Sequence, residues 1–120
     1  MPTSGETVVL VTRDPVLVSS FTARMTMAGE HLITLPELNA LKVDEEARFE
    51  ATLIVDANLL SNAHARWEEE LRGHGWLGSL IILVDNMIPG YRRLPGITVL
   101  EKSGGSSALL AVLATRRTRS

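Results

Sequence analysis

Four short apolar runs, each followed by polar or charged residues, restrict what this chain can fold into. The runs are Val8–Val11, the first half of Ala51–Leu60, Leu80–Val84 and Ile97–Leu100. Short continuous apolar runs separated by amphipathic segments are typical of parallel strands that are buried on both faces of a sheet. Parallel strands bring their carboxyl ends to one edge, where open α/β sheets carry their sites. The polar residues that follow the runs, above all Asp56, are therefore expected to gather at that edge.

The segment after the first run predicts a helix with a defined start and end. The first strand is predicted over Thr7–Thr12, and Asp14 is suited to cap the helix because its carboxylate can accept an unpaired backbone amide. Pro15 fits the first turn, where its missing N–H costs nothing. The helix is predicted to run to about Ala28 and to end at Gly29. Its predicted buried stripe consists of Leu17, Phe21, Met25 and Ala28.

Strands and helices continue to alternate along the rest of the chain. The further elements predicted are a strand at His31–Leu35, a helix at Glu37–Phe49, a helix that starts at Ser61-Asn62 and buries Ala63, Trp67 and Leu71, a strand at Ile97–Glu101 and a helix from Ser106 to about Thr115. The Pro-Gly pairs at 89–90 and 95–96 leave room only for a loop or a stunted helix in the fourth crossover. This order predicts one α/β domain over residues 1–120, with a doubly wound parallel sheet of five strands, right-handed crossovers and helices on both faces.

Composition argues against several classes of protein. Twelve Lys and Arg against fourteen Asp and Glu give a formal charge of -2, whereas nucleic-acid-binding domains usually carry a basic excess. The absence of cysteine leaves neither disulfides nor a thiolate zinc site, and it is compatible with a reducing compartment, so we expect a cytoplasmic protein. No secretion signal is recognised, and no apolar run approaches the roughly 20 residues of a membrane span, so no membrane contact is expected. His31, His64 and His74 lie on different predicted elements and lack the spacing of metal ligands.

The order and spacing of four segments carry a family resemblance. They are Val8–Pro15 with its step into a helix that closes at Gly29, Leu53-Ile54-Val55-Asp56, Leu80–Val84 and Val99-Leu100-Glu101-Lys102. In this arrangement the chain resembles the receiver domain of bacterial two-component response regulators over nearly its whole length. The resemblance implies a flavodoxin-like fold with strand order 2-1-3-4-5. It also implies that Asp56 stands at the phosphoacceptor position and Lys102 at the position of the lysine that pairs with the phosphoryl group.

The chain departs from that family at several site positions. The acidic pair that holds Mg²⁺ in the family corresponds to Thr12 and Arg13, with Asp14 one position beyond. A register shifted by one residue gives Arg13 and Asp14 instead, but it requires an insertion in the helix. On either alignment at least one carboxylate of the pair is missing. The remaining departures are Asp85 for the switch hydroxyl, Asn86 for the small residue after it, Val99 for the switch aromatic and Ser103 for the proline after the lysine.

These replacements change the expected chemistry. Mg²⁺ prefers carboxylate oxygens and water, so Arg13 in place of a ligand weakens or abolishes the metal site. Asp85 adds a negative charge where a phosphoryl group would lie, and it cannot donate a hydrogen bond when it is ionised. We therefore predict a standing salt-bridge network of Arg13, Lys102, Asp56 and Asp85 that locks one conformation.

The preferred interpretation is an atypical receiver domain that is not an enzyme, needs no cofactor and acts in signal transduction through protein–protein contact. A signalling protein is the expected partner, and a homodimer through the last strand and helix is a further expectation. The alternative is a phosphorylatable single-domain response regulator that accepts a phosphoryl group on Asp56 from a histidine kinase, with Mg²⁺ bound weakly at Asp14 and Asp56. A second alternative is a flavodoxin-like small-ligand binder that uses the same edge of the sheet.

Overall fold

Apolar runs and amphipathic segments form an open parallel sheet with helices packed against it. The structure, a computed structural model, describes residues 7–36, 52–61, 63–104, 107, 108 and 111. Its strands are β1 (Thr7–Val11), β2 (His31–Leu35), β3 (Thr52–Asp56), β4 (Leu80–Val84) and β5 (Thr98–Glu101). The α-helices whose limits are described are α1 (Pro15–Met27) and α2 (Trp67–Gly73), and 3₁₀ turns lie at Ala57–Leu59, His64–Arg66 and Pro89–Arg93.

The five described strands are parallel and lie in the order β2-β1-β3-β4-β5. This arrangement confirms the predicted doubly wound α/β sheet and its strand order. The register places Val11 beside Val55, Asp56 beside Leu83 and Val84 beside Glu101. The carboxyl ends of β1, β3, β4 and β5 therefore reach the same edge of the sheet, which we call the carboxyl edge.

Helix α1 has the start that the sequence predicts and most of the predicted stripe. The Asp14 carboxylate accepts a hydrogen bond at 2.9 Å from the N–H of the second helical residue, and Pro15 occupies the first turn. The predicted fourth member of the stripe, Ala28, is exposed, because the helix ends at Met27 and the chain turns at Gly29, whose φ is 77°. The buried members of the stripe are Leu17, Phe21 and Met25.

The sheet is buried on both faces, which explains why the central strand sequences are continuously apolar. Side chains of successive residues in β1, β3 and β4 point to the two faces in turn. The face that packs against α1 contributes Val8, Leu10, Ile54, Ile81 and Leu83 to the core. The buried residues on the other side are Val9, Val11, Leu53, Val55, Leu80, Ile82 and Val84 from the sheet, with Trp67, Leu71 and Trp76 packed over them. The edge strands β2 and β5 are only partly buried.

The segment after β3 becomes helical later than the sequence predicts. Trp67 and Leu71 are buried, as expected, but Ala63 is exposed. Ala63 has extended backbone, with φ −62° and ψ 155°, and it precedes a 3₁₀ turn, so it lies outside the helix and cannot join the stripe. Ser61 does not start the helix either. Its N–H donates to the Glu70 carboxylate, 2.9 Å from Oε2.

The fourth crossover contains a stunted helix, as predicted. Residues Pro89–Arg93 form a 3₁₀ turn, in which the Tyr91 N–H donates to the Ile88 carbonyl at 3.1 Å. Strand β5 then begins at Thr98, one residue later than expected.

Two predicted helices fall wholly or partly outside the described residues. The helix at Glu37–Phe49 lies outside them, and so does the Ser106 cap of the last helix. Residues 107, 108 and 111 of that last helix are described as helical. Nowhere in the described part of the chain does a helix have the length and apolar character needed to cross a membrane.

Replacing Asp14 by alanine is expected to lower the free energy of unfolding by about 1 kcal/mol, because the first turn of α1 loses its cap. Asparagine keeps an oxygen acceptor in the same place, so Asp14→Asn should stay within about 0.5 kcal/mol of wild type. Urea denaturation of the two variants measures the difference. Equal losses in both would contradict the capping role.

Candidate functional site

Three charged residues meet at the carboxyl edge of the sheet. Asp56 is the last residue of β3, Asp85 follows β4, and Lys102 follows β5. The N–H of Lys102 donates to the Val84 carbonyl at 2.8 Å, so the pairing of β4 with β5 continues to Lys102 and carries it to the end of β4. Its Nζ lies 3.0 Å from Oδ1 of Asp56 and 3.1 Å from Oδ1 of Asp85. A single lysine thus bridges two carboxylates, and we call this arrangement the Lys102 bridge.

The two halves of the Lys102 bridge differ in burial. The side chains of Lys102 and Asp56 are 15% and 7% exposed, whereas that of Asp85 is 67% exposed. A buried ion pair is costly to break because the remaining charge is left without a partner. An exposed pair is screened by water and contributes little. Lys102 and Asp56 therefore form the structural pair, and Asp85 is an outer partner that water can replace.

Both carboxylate oxygens of Asp56 have donors within the protein. Besides Lys102, Oδ1 accepts the Asn58 N–H at 3.0 Å, and Oδ2 accepts the Thr12 hydroxyl at 3.2 Å. The Thr12 oxygen in turn accepts the Asp14 N–H at 3.1 Å. Asp56 is thus held by groups that follow β1, β3 and β5.

The hydrogen bond from Thr12 to Asp56 was not predicted from the sequence. Thr12 is 3% exposed and comes directly after β1, which is the neighbour of β3 in the sheet. One signal could have indicated this contact. It is a hydroxyl residue directly after one buried strand, beside a second strand that ends on a carboxylate. By its resemblance to the family, Thr12 stands at the position of a metal ligand, yet in this structure its hydroxyl donates a hydrogen bond to the carboxylate of Asp56.

Burial and charge act in opposite directions on the pKa of Lys102. Burial lowers it, since the ammonium group loses water. Hydrogen bonds to Asp56 and Asp85, together with the charges of these carboxylates, raise it by more, so the pKa lies above its ordinary value. The lysine of the bridge therefore stays cationic throughout the neutral range.

Arg13 lies outside the bridge, which corrects the predicted network of four residues. Its guanidinium Nε donates to the Pro36 carbonyl at 3.1 Å, and its side chain is exposed. Thr12 continues the direction of β1, where successive side chains point to opposite sides. Because Thr12 faces Asp56, Arg13 is directed outward and is tied to the end of β2.

The other predicted site residues have contacts of their own. The Asp14 carboxylate caps α1. Val99 is half-buried in β5 beside Ile82 and packs against the core on the α2 side of the sheet. Asn86 and Ser103 are exposed to solvent.

The histidines lie on separate elements. His31 starts β2, His64 starts a 3₁₀ turn, and His74 follows α2. Within residues 7–36, 52–61 and 63–104 and the three helical residues beyond them, no group of three or more His, Cys, Asp or Glu side chains is arranged to hold a metal ion.

Comparison with known proteins finds solved structures that are similar to this chain. No protein-family model matches the chain, and no curated protein matches it. The receiver domain of the sensor histidine kinase PA1611 from Pseudomonas aeruginosa PAO1, solved with a magnesium ion coordinated in the active-site cleft, is similar with a TM-score of 0.67. The two chains are 21% identical, and the match covers 91% of this chain and 94% of that one.

Two structures of the response regulator RcsB are also similar to this chain. The non-phosphorylated receiver domain from Escherichia coli has a TM-score of 0.72 at 16% identity, over 95% of this chain and 94% of that one. RcsB from Salmonella typhimurium has a TM-score of 0.73 at 16% identity, over 97% of this chain and 61% of that longer one. Likeness at these identities is evidence of fold alone. Together with the strand order, it shows that this chain has the fold of a response-regulator receiver domain.

Proposed function

We propose that this chain is a signalling module with the receiver fold, which acts through protein–protein contact and without phosphorylation of Asp56. One observation carries the proposal, namely that Lys102 and Thr12 supply donors to both oxygens of Asp56. These donors engage lone pairs of Asp56 that in-line attack on phosphorus or metal binding would use. The likeness in fold to receiver domains supports the signalling role.

The donors around Asp56 do not fit a magnesium ion. Mg²⁺ demands near-octahedral oxygen coordination and is usually held by carboxylates together with water. Beside Asp56 stand the hydrogen-bonded hydroxyl of Thr12 and the ammonium group of Lys102, which repels a divalent cation. The carboxylate of Asp14 caps α1 instead. In the proposed function the module needs no metal cofactor.

The Lys102 bridge also opposes phosphoryl transfer. Attack by Asp56 would need one of its oxygens to approach phosphorus in line, while cations balance charge on the equatorial oxygens. Lys102 is shared with Asp85, whose carboxylate would stand beside the incoming phosphoryl group. Like charges at such short range repel each other. Geometry and charge thus work against the reaction together.

The proposed partner is another signalling protein, because a module of this kind carries out no reaction of its own. Asp85 and Asn86 are exposed at the carboxyl edge and offer a surface next to the bridge. A homodimer through β5 and the last helix is part of the proposal, since β5 is an edge strand and is only partly buried.

A second candidate function is that of a phosphoacceptor fed by a histidine kinase. It is favoured by the distance of 3.0 Å between Asp56 and Lys102, two groups that the resemblance assigns to that reaction. A metal held by Asp14 and Asp56 would require Asp14 to leave its cap on α1. The small-ligand alternative stays a prediction.

Radiolabelled acetyl phosphate with Mg²⁺ is expected to leave the chain unlabelled, because the bridge hinders attack by Asp56. Counting the label bound to the washed protein gives the incorporation per chain, with Asp56→Asn as the matched control. Background counts in both proteins fit the proposal. Stoichiometric labelling that Asp56→Asn abolishes would establish the phosphoacceptor instead.

Lys102→Met is expected to lower the free energy of unfolding by roughly 3 kcal/mol, since it leaves Asp56 buried without a cation. Asp85→Asn removes only the exposed partner and should cost less than about 1 kcal/mol. Urea denaturation at neutral pH compares the two variants. A larger loss for Asp85→Asn than for Lys102→Met would show that Asp56 is not the structural partner.

The stabilisation by Lys102 should persist through neutral pH and disappear at alkaline pH. Folding raises the pKa of Lys102, so its contribution is complete below the ordinary lysine pKa of about 10.4 and is lost as the pH rises through the raised value. The difference in unfolding free energy between wild type and Lys102→Met, measured from about pH 7 to about pH 11.5, should stay level and then shrink. A difference that shrinks below about pH 9 would count against this origin.

A further inference from the structure

The fourth crossover, residues 85–97, has a 3₁₀ turn as its regular structure and is attached to the rest of the fold at its start, middle and end. At the start, the exposed carboxylate of Asp85 pairs with Lys102. The middle and end attachments both lead to residues 64–73, which comprise a 3₁₀ turn and α2. Two of the three attachments therefore involve residues 64–73, and Leu94 and Ile97 of the crossover pack against the core on the same side of the sheet.

Three rings form the middle attachment, His64, Trp67 and Tyr91, and we call them the aromatic latch. The ring centroids of Trp67 and Tyr91 are 5.3 Å apart, with their planes inclined at 35°. His64 meets both rings at a steep angle, 5.4 Å from Tyr91 and 6.0 Å from Trp67. Trp67 is 6% exposed and belongs to the core, and Tyr91 packs against that core. The latch thus joins the 3₁₀ turn of the crossover to the start of α2.

Gly96 provides the end attachment. A Cβ added at this glycine would overlap the Glu68 carboxylate, so the backbone of the crossover lies directly against that side chain. Oε2 of Glu68 is 3.6 Å from Nη2 of Arg72, whose Nη1 donates to the carbonyls of Trp76 and Gly78. Glu68 is consequently held in place where the crossover meets it.

These attachments differ in strength. Contacts between aromatic rings add to the effect of burying their apolar area. Asp85 is 67% exposed and pairs with a lysine whose buried partner is Asp56, so water competes for it. Loss of the Asp85 contact leaves the latch in place. Loss of the latch removes the ring contacts that hold the 3₁₀ turn of the crossover.

We propose that the aromatic latch, and not the Lys102 bridge, sets the position of the fourth crossover. The proposal rests on the proposed function, in which no chemistry at Asp56 is available to move the crossover. The latch is then a conformational device, because a change that parts Tyr91 from Trp67 releases the crossover whatever the state of Asp56. The surface that includes the exposed Ile88 and Arg93 changes with it.

Limited trypsin digestion tests the latch, because the bonds after Arg92 and Arg93 lie at the end of the 3₁₀ turn, and a protease cuts a chain that has opened locally. When opening and closing are fast relative to cleavage, the cleavage rate follows the population of the open form. Tyr91→Leu is expected to raise the rate at these bonds about tenfold. Cleavage after Arg24 in α1, followed by mass spectrometry in the same digest, reports global unfolding and normalises each rate.

Matched variants separate the latch from the bridge. Asp56→Asn and Asp85→Asn should change the normalised rate by less than about twofold. His64→Ala removes an exposed ring of the latch and should raise the rate about threefold, whereas His74→Ala, which changes an exposed histidine beyond the other end of α2, should leave it unchanged. His64→Ala decides the question if Tyr91→Leu fails to fold.

An unchanged rate in His64→Ala and Tyr91→Leu would overturn the proposal, and so would an equal rise in Asp56→Asn. The digestion uses no phosphoryl donor, so its outcome is separate from the labelling of Asp56. If Asp56 is labelled and the cleavage rates follow the expected order, the proposed function is refuted and the latch proposal stands. If Asp56 stays unlabelled and Tyr91→Leu does not change the cleavage rate, the proposed function stands and the latch proposal is refuted.

Discussion

The fold depends on balancing an ionised carboxylate at the end of a fully buried strand. Every residue of β3 is buried, and the strand lies in the middle of the sheet. Asp56 therefore ends the strand with little access to water, and its charge must be compensated by groups that the fold brings to it. In this chain the compensation comes from Lys102 and Thr12.

Segments that face the sheet could be predicted from the sequence because burial determines their residue types. Continuous apolar runs follow from burial on both faces, and the Asp14-Pro15 step follows from the needs of a helix start. The limits of the helices were less predictable. Ala28 and Ala63 were assigned to buried stripes and are exposed. An alanine side chain buries too little apolar area to decide whether a helix continues through it, so local hydrogen bonds decide instead.

The residues of the site were easier to predict than their contacts. Asp56 ends β3, and Asp85 and Lys102 follow β4 and β5, so parallel topology alone brings them to one edge. The direction of Arg13 depends on how the chain leaves β1, and this depends on the hydrogen bonds of Thr12. Neither the path of the chain after β1 nor the hydrogen bonds of Thr12 produce a periodic pattern in the sequence. The network is accordingly centred on one lysine, where the sequence indicated two cations.

The position of Lys102 after the last strand links the site to the order in which the sheet is assembled. Until β5 pairs with β4, the Lys102 N–H has no Val84 carbonyl to hold it, and the carboxylate of Asp56 lacks its cation. The ribosome releases β3 well before β5, so each partly built sheet carries an unbalanced charge at the end of its central strand. Long-range pairing of this kind delays folding until the whole chain is present. The bridge therefore makes completion of the chain a condition for a balanced core, and a chain cut before β5 would keep this carboxylate without its cation.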